Sequence, residues 1–268
     1  MHAELLPIYG PIAIQSFGLC VVIGLLVFSW FLLRYPKRAL IISVDQYTEI
    51  LFIGIIAGII GGRLLYVITD WYSLDSFFEI LYLWNGGFSI LGTIIAVAIT
   101  LPLYLSKKHI PIWEFADLVA IHAPLLQSIA RLGCFFAGCC YGMPTHAPWG
   151  VCYQTVRSSM YVDTSLFEGI HLHPTQLYSA LILFIIFIFM YTIAPYFINK
   201  HGQLLSIYLM LTSTERFIVD FWRADRIFIK TYGIFHLISV HQLIAFIIFV
   251  VAGAAFIALN SSAFLKRL

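Results

Sequence analysis

Arginines in apolar surroundings raise the first chemical question in this chain. Arg63, Arg131 and Arg216 fall within or at the ends of hydrophobic segments. A guanidinium at the centre of a membrane helix costs at least about 2.5 to 3.5 kcal/mol on insertion scales, so it faces a bundle interior and there pairs with an acid or holds an anion. Acids stand near enough to be considered: Glu215 and Asp220 beside Arg216, with Asp70 and Asp117 as candidates for the other two. A single such arginine reads as an interhelical ion pair or a snorkelling side chain. Three together point to a phosphate site reached from the bilayer, because a guanidinium fork binds phosphoryl oxygens two at a time.

Thiols follow one of these arginines closely, and a histidine opens a separate motif further along the chain. The stretch ARLGCFFAGCCYGMP, residues 130 to 144, places Cys134, Cys139 and Cys140 within nine residues of Arg131, and Cys152 follows. Cys20 sits in an apolar run, where a small buried hydrophobe needs no further account. The C-x4-C-C spacing lacks the paired C-x2-C knuckles of a zinc site, and His146, His171 and His173 are scattered, so no metal is expected. Three readings of the thiols stay open: a disulfide from Cys152 to Cys139 or Cys140, inert packing, or a reactive thiol that Arg131 would favour as thiolate. His173 opens the motif HPTQLY, whose proline suits a helix start and whose Thr175, Gln176 and Tyr178 add polar groups. An imidazole there serves as a general base or as an interfacial residue.

The elements that must position these groups are membrane helices. Of the 268 residues, 61% are hydrophobic and 10% charged, with a mean hydropathy of +0.94, which excludes an ordinary soluble domain. Apolar runs long enough to cross about 30 Å of hydrocarbon are expected near 12–33, 47–68, 77–105, 117–136, 175–193, 204–222 and 238–259. The chain is therefore all-α and polytopic, one integral-membrane domain over 1–268 with an outer loop near 137–174. The start, MHAELLPIYGPIA, lacks the basic lead of a secretory signal, so the first span is expected to be retained. Arg34, Lys37 and Arg38 follow the first span, Lys107 and Lys108 the third, Lys200 the fifth, and Lys266 and Arg267 the seventh. In the opposite loops Arg157, Arg223, Arg226 and Lys230 are interleaved with Asp163, Glu168, Asp220 and Asp225. The positive-inside rule then puts the N-terminus outside and the C-terminus in the cytoplasm. Trp71, Tyr72, Trp84, Trp113, Trp149 and Trp222 read as interfacial anchors. Glycines at 54, 58 and 62 predict a small-residue stripe for close helix approach, and NGGFSILG at 85–92 is either a bend beside a cavity or the start of a helix.

Four stretches together resemble the bacterial phosphatidylglycerol:prolipoprotein diacylglyceryl transferases: GGRLLY at 61–66, ARLGCFFAGCCYG at 130–142, HPTQLY at 173–178 and ERFIVDFWRAD at 215–225. GPIAIQSFGL and NGGFSILG match more weakly, and order and spacing agree over nearly the whole chain. The resemblance implies transfer of the diacylglyceryl group of phosphatidylglycerol to the lipobox thiol of prolipoprotein signal peptides, in the bacterial inner (cytoplasmic) membrane. It implies membrane lipid as the medium, with no cofactor and no nucleic acid. Arg131 and Arg216 match the arginines that bind and polarise the phosphate, with His173, Cys139 or Cys140 as candidate catalytic groups. Arg63, Tyr66, Gly142, Gln176, Tyr178, Asp220 and Arg223 fall at substrate-binding positions. The departures from the family signature G-R-x-G-N-F-x-N-G-E are Cys134 and Ala137 for the two asparagines and Cys139 for the glutamate. Leu91 stands where the third-span motif carries histidine, Phe17 replaces a tyrosine, Ser179 a glutamate that often follows HPTQLY, and Asp220 a common glutamate. The resemblance thus leaves open a divergent transferase with another acceptor or a cysteine-based mechanism, and a non-catalytic protein that binds anionic lipid.

Overall fold

A computed structural model describes residues 4–9, 12–71, 87–153, 169–198, 200–228 and 238–265. Outside them fall the first ten residues of the third expected span with Tyr72 and Trp84, residues 154–168 of the outer loop with Arg157, Asp163 and Glu168, and Lys230, Lys266 and Arg267. The described helices are α1 (Ser16–Arg34), α2 (Val44–Thr69), α3 (Ile90–Lys107), α4 (Ile112–Ala137), α5 (Thr175–Thr192), the short α6 (Ala194–Phe197), α7 (Gln203–Asp220) and α8 (Val240–Leu265). Two small ribbons accompany them, β1 (Glu4–Tyr9) with β2 (Ile12–Gln15), and β3 (Val151–Cys152) with β4 (His171–Leu172). Helices α1 to α5 and α8 are long and apolar enough to cross a membrane. The chain is a multi-pass membrane protein. Helix α7 has 18 residues, about 27 Å at 1.5 Å per residue, but Glu215, Arg216 and Asp220 make it the most polar of the long helices.

Several boundaries differ from those expected, each for a local reason. The first span starts at Ser16 rather than near residue 12, because Ile12–Gln15 pairs with β1 as a strand. The described part of NGGFSILG is a helix entrance: Gly87 takes φ +74°, and the Ser89 hydroxyl then accepts the Gly92 amide at 3.4 Å as the cap of α3. Helix α2 begins with a full capping box, in which Ser43 and Gln46 each accept the other's backbone amide.

The chain divides into two compact units, one made of Met1–Leu6, Ile14–Leu32 and Ala116–Leu268, the other of Pro7–Ala13 and Leu33–Phe115. In the second unit α2 and α3 pack through glycine. A Cβ on Gly61 would lie 2.2 Å from the Ala96 Cβ and 2.6 Å from the Gly92 carbonyl oxygen, so any side chain would force the helices apart. Ser89 N donates to the Gly62 carbonyl and Thr93 Oγ1 to the Gly58 carbonyl, each at 2.9 Å. The small-residue face is therefore 58, 61 and 62. At Gly54 an added Cβ would meet only the Leu101 side chain, at 3.9 Å.

In the first unit α5, α6 and α7 share an apolar core around Leu183, Ile186, Met190 and Ala194. Asp117, considered as an arginine partner, does other work. Its carboxylate accepts the backbone amides of Gly202 at 2.6 Å and Leu205 at 2.8 Å, satisfying donors that the start of α7 leaves open.

Candidate active site

Helix α4 delivers Arg131 and Cys134, then ends, and the chain reverses sharply. Gly138 at φ +70° and Cys140 at φ +62° make the turn. The first is a conformation open to glycine, but the second strains a residue bearing a Cβ by about 1 to 3 kcal/mol. Cys139 N closes the turn on the Cys134 carbonyl at 3.1 Å. As a result the sulfurs of Cys134, Cys139 and Cys140 lie within 4.8 Å of one another. Linear spacing had hidden this cluster, because the turn, not the interval, brings the thiols together. All five cysteines are free, and Cys152 is exposed on β3.

The start of α5 holds this turn in place. Thr175 Oγ1 donates to the Cys140 carbonyl at 2.8 Å and Gln176 Nε2 to the Cys139 carbonyl at 2.7 Å. Tyr153 donates its hydroxyl to Gln176 Oε1 at 3.0 Å. Both Thr175 and Gln176 are buried, so the Gln176 amide is engaged by protein at both ends.

Three stretches then interlock through their backbones. Gly142 N donates to the His173 carbonyl at 2.8 Å, His173 N to Met143 at 3.0 Å, and Met143 N to the Trp222 carbonyl at 2.8 Å. A Cβ on Gly142 would fall 2.6 Å from both the His173 Cβ and the Trp222 oxygen, so only glycine fits where these segments meet. Tyr178 ties the imidazole down: its hydroxyl lies 3.0 Å from His173 Nδ1 and accepts Trp149 Nε1–H at 2.8 Å.

Charge gathers around the same turn. Arg223, 5% exposed, grips Asp225 with both arms, Nε to Oδ1 at 2.7 Å and Nη2 to Oδ2 at 2.5 Å. Burial opposes the Asp225 carboxylate, but the Arg223 fork outweighs it and holds the carboxyl below its usual range. Hydrogen bonds from the Cys134 and Cys139 thiols, aided by the Arg223 and Arg131 charges against burial, likewise hold Cys140 below an ordinary thiol. Asp220 is fully buried and accepts the Ser239 hydroxyl at 2.5 Å, with Arg226 Nε at 3.4 Å and His241 Nδ1 at 3.8 Å. Arg216 reaches that carboxylate only at 3.9 Å. Glu215 is taken up by the Ser179 hydroxyl at 2.5 Å. Arg131, half-buried on α4, makes no hydrogen bond or ion pair among the described residues, although it lies within electrostatic reach of Cys140, Glu215 and Arg216. The arrangement is a cationic site with guanidinium donors to spare.

A family model described as prolipoprotein diacylglyceryl transferase matches residues 3–258. The chain belongs to the prolipoprotein diacylglyceryl transferase family. Among its relatives, the phosphatidylglycerol–prolipoprotein diacylglyceryl transferase of Clostridium tetani is 36% identical over 226 residues, covering 84% of this chain and 86% of that protein. The Thermotoga maritima transferase of the same name is 29% identical over 261 residues, 96% of this chain and 85% of its own. The phosphatidylglycerol–prolipoprotein diacylglyceryl transferase 2 of Clostridium perfringens is 31% identical over 230 residues, 84% of each.

Within this transferase-family chain the first unit collects Arg131, Cys139, Cys140, Gly142, His173, Gln176, Tyr178, Arg216, Asp220 and Arg223. Arg63 and Tyr66 belong to the other unit. There Arg63 Nη1 donates to the Gly87 carbonyl at 2.9 Å and its Cζ stands 5.3 Å from the Tyr66 ring centroid. Leu91 is an exposed residue of α3. Trp149 and Tyr153 escaped sequence reasoning as site residues. Trp149 carried only the signal of an interfacial aromatic, and Tyr153 none. Asp225 was legible in hindsight from the R-x-D spacing after α7, which lets a carboxylate return to the guanidinium two residues before it.

Proposed function

We propose that this chain moves the diacylglyceryl group of phosphatidylglycerol onto the lipobox cysteine thiol of a prolipoprotein signal peptide, at the outer face of the bacterial cytoplasmic membrane. One observation carries the reading: Arg131 has no partner among the described residues and stands beside Arg216, whose nearest carboxylate is at 3.9 Å. Guanidinium donors left open in an apolar setting favour a phosphodiester, and the names of the relatives supply which one.

In the reaction the peptide sulfur attacks the glyceryl carbon bonded to the phosphate oxygen. The carbon–sulfur bond forms, the carbon–oxygen bond breaks, and glycerol phosphate leaves with the electron pair. Arg131 and Arg216 hold the phosphoryl oxygens on which that charge grows. His173 Nδ1 pairs with the Tyr178 hydroxyl, into which Trp149 also donates, fixing the ring; in the tautomer protonated at Nδ1, Nε2 is left to take the thiol proton. Asp220 and Arg223 set the frame behind the cations. A covalent intermediate on Cys139 or Cys140 is disfavoured, because it would be a thioether, and its carbon–sulfur bond gives the second thiol a poor leaving group. In this reading α7 also crosses, bringing the crossings to seven, the N-terminus lies outside and the C-terminus in the cytoplasm, and nucleic acid has no part.

The test uses the purified chain in phosphatidylglycerol vesicles with a synthetic lipobox peptide. The expected result is a peptide heavier by one diacylglyceryl group and one glycerol phosphate released per transfer, with nothing transferred to a peptide whose cysteine is serine. Lipid binding without transfer to any acceptor would replace this reading with the non-catalytic one, and transfer only to another acceptor with a divergent transferase.

A further inference from the structure

The thiol cluster is not needed for the transfer just described, yet it is built with care. Cys134 comes from the last turn of α4, while Cys139 and Cys140 come from the reversal that Gly138 and Cys140 make in left-handed backbone conformations. Thr175 and Gln176 clamp the two carbonyls of that reversal, which fixes where both thiols hang. A thiol at Cys140 is tolerated in a conformation that disfavours any side chain, and strain of this kind persists where the surroundings enforce it. Ligands around one metal at about 2.3 Å from sulfur stand about 3.8 Å apart in tetrahedral geometry and about 4.0 Å in trigonal geometry. The three sulfurs, all within 4.8 Å of one another, reach either arrangement by a side-chain adjustment of less than about 1 Å. Arg131 and Arg223 stand within electrostatic reach to balance the negative charge of a thiolate set.

We propose that Cys134, Cys139 and Cys140 form a three-thiolate site for one soft metal ion of the copper(I) or zinc class. Thiolate sulfur selects these ions over magnesium, calcium or manganese, which prefer oxygen. Binding forms three metal–sulfur bonds and releases the thiol protons to solvent, with no change of oxidation state. Cys134 is buried and the other two thiols are half-buried, so an ion enters from the side of the turn. Zinc would complete a fourth position with water, whereas copper(I) is content with three sulfurs.

The experiment titrates the full chain, purified in detergent under reducing and anaerobic conditions and stripped with chelator, with copper(I) or zinc against a coloured competing chelator. One equivalent of one of the two ions should be held, with a sulfur-only protein shell by X-ray absorption. Affinity should fall at least about 100-fold in Cys139→Ser and in Cys140→Ser and stay unchanged in Cys20→Ser and Cys152→Ser. Thermal unfolding guards against misfolding: the ion should raise the midpoint of the unaltered chain and of Cys152→Ser, but not of Cys139→Ser. Failure of both ions to outcompete the chelator control, a shell of nitrogen and oxygen, or an equal loss in Cys152→Ser would overturn the proposal. None of these readouts depends on lipid transfer, so the site and the proposed activity stand or fall separately.

Discussion

Arg63 in α2 and Arg131 in α4 are alike in sequence and opposite in surroundings. Each follows a small residue in an apolar helix. Arg63 is 6% exposed, donates to the Gly87 carbonyl at 2.9 Å and lies against Tyr66. It organises the entrance to α3. Arg131 donates to nothing among the described residues, though carboxylates at Glu215, Asp220 and Asp225 crowd its unit, each committed to another group. The difference teaches that burial of a cation is not what marks a binding site. An arginine whose donors are spent inside the protein stabilises a fold, and one whose donors are kept open while nearby acids are occupied is available to a ligand.

Substitutions can break that contrast. Arg131→Ala is expected to lower the transfer rate by about 100- to 1,000-fold, the cost of removing a donor aimed at developing charge, while leaving the thermal midpoint in detergent close to that of the unaltered chain. Gly142→Ala comes next: with a Cβ 2.6 Å from His173 and from the Trp222 oxygen, it should destabilise the first unit by about 1 to 3 kcal/mol or more, and lose transfer because His173 and the segment carrying Arg223 lose their common anchor. Gly61→Ala should cost a similar amount in the second unit, by forcing α2 from α3. Arg63→Ala should lower stability by about 1 to 3 kcal/mol, read by thermal unfolding, since it strands a carbonyl that the guanidinium now satisfies. The smallest effect belongs to Gly54→Ala, within about 0.5 kcal/mol, because only Leu101 lies near it, at 3.9 Å.

Much of this architecture was legible from residue types. Apolar runs located the helices, and the resemblance gathered Arg131, HPTQLY and the end of α7 with the segment that follows it into one site. What stayed hidden depends on where the backbone turns or how closely it approaches itself. Gly61 outranks Gly54 because of the crossing point of α2 and α3, which periodicity alone does not locate. Ile12–Gln15 is a strand because β1 pairs with it, although its composition continues the apolar run of α1. Asp117 caps α7 from a distance of 85 residues in sequence, a partnership that no local pattern encodes. The sulfur cluster depends on left-handed conformations at Gly138 and Cys140, and for Cys140 the residue type argues against one.

The central claim is that Arg131 holds the phosphate of phosphatidylglycerol, and lipid-dependent unfolding tests it most directly. A ligand that binds the folded state raises the thermal midpoint by linkage. Phosphatidylglycerol added to the detergent-solubilised chain should therefore raise the midpoint more than a neutral lipid of the same acyl chains, and Arg131→Ala should abolish that difference without altering the lipid-free midpoint. Full lipid-specific stabilisation retained in Arg131→Ala would contradict the account.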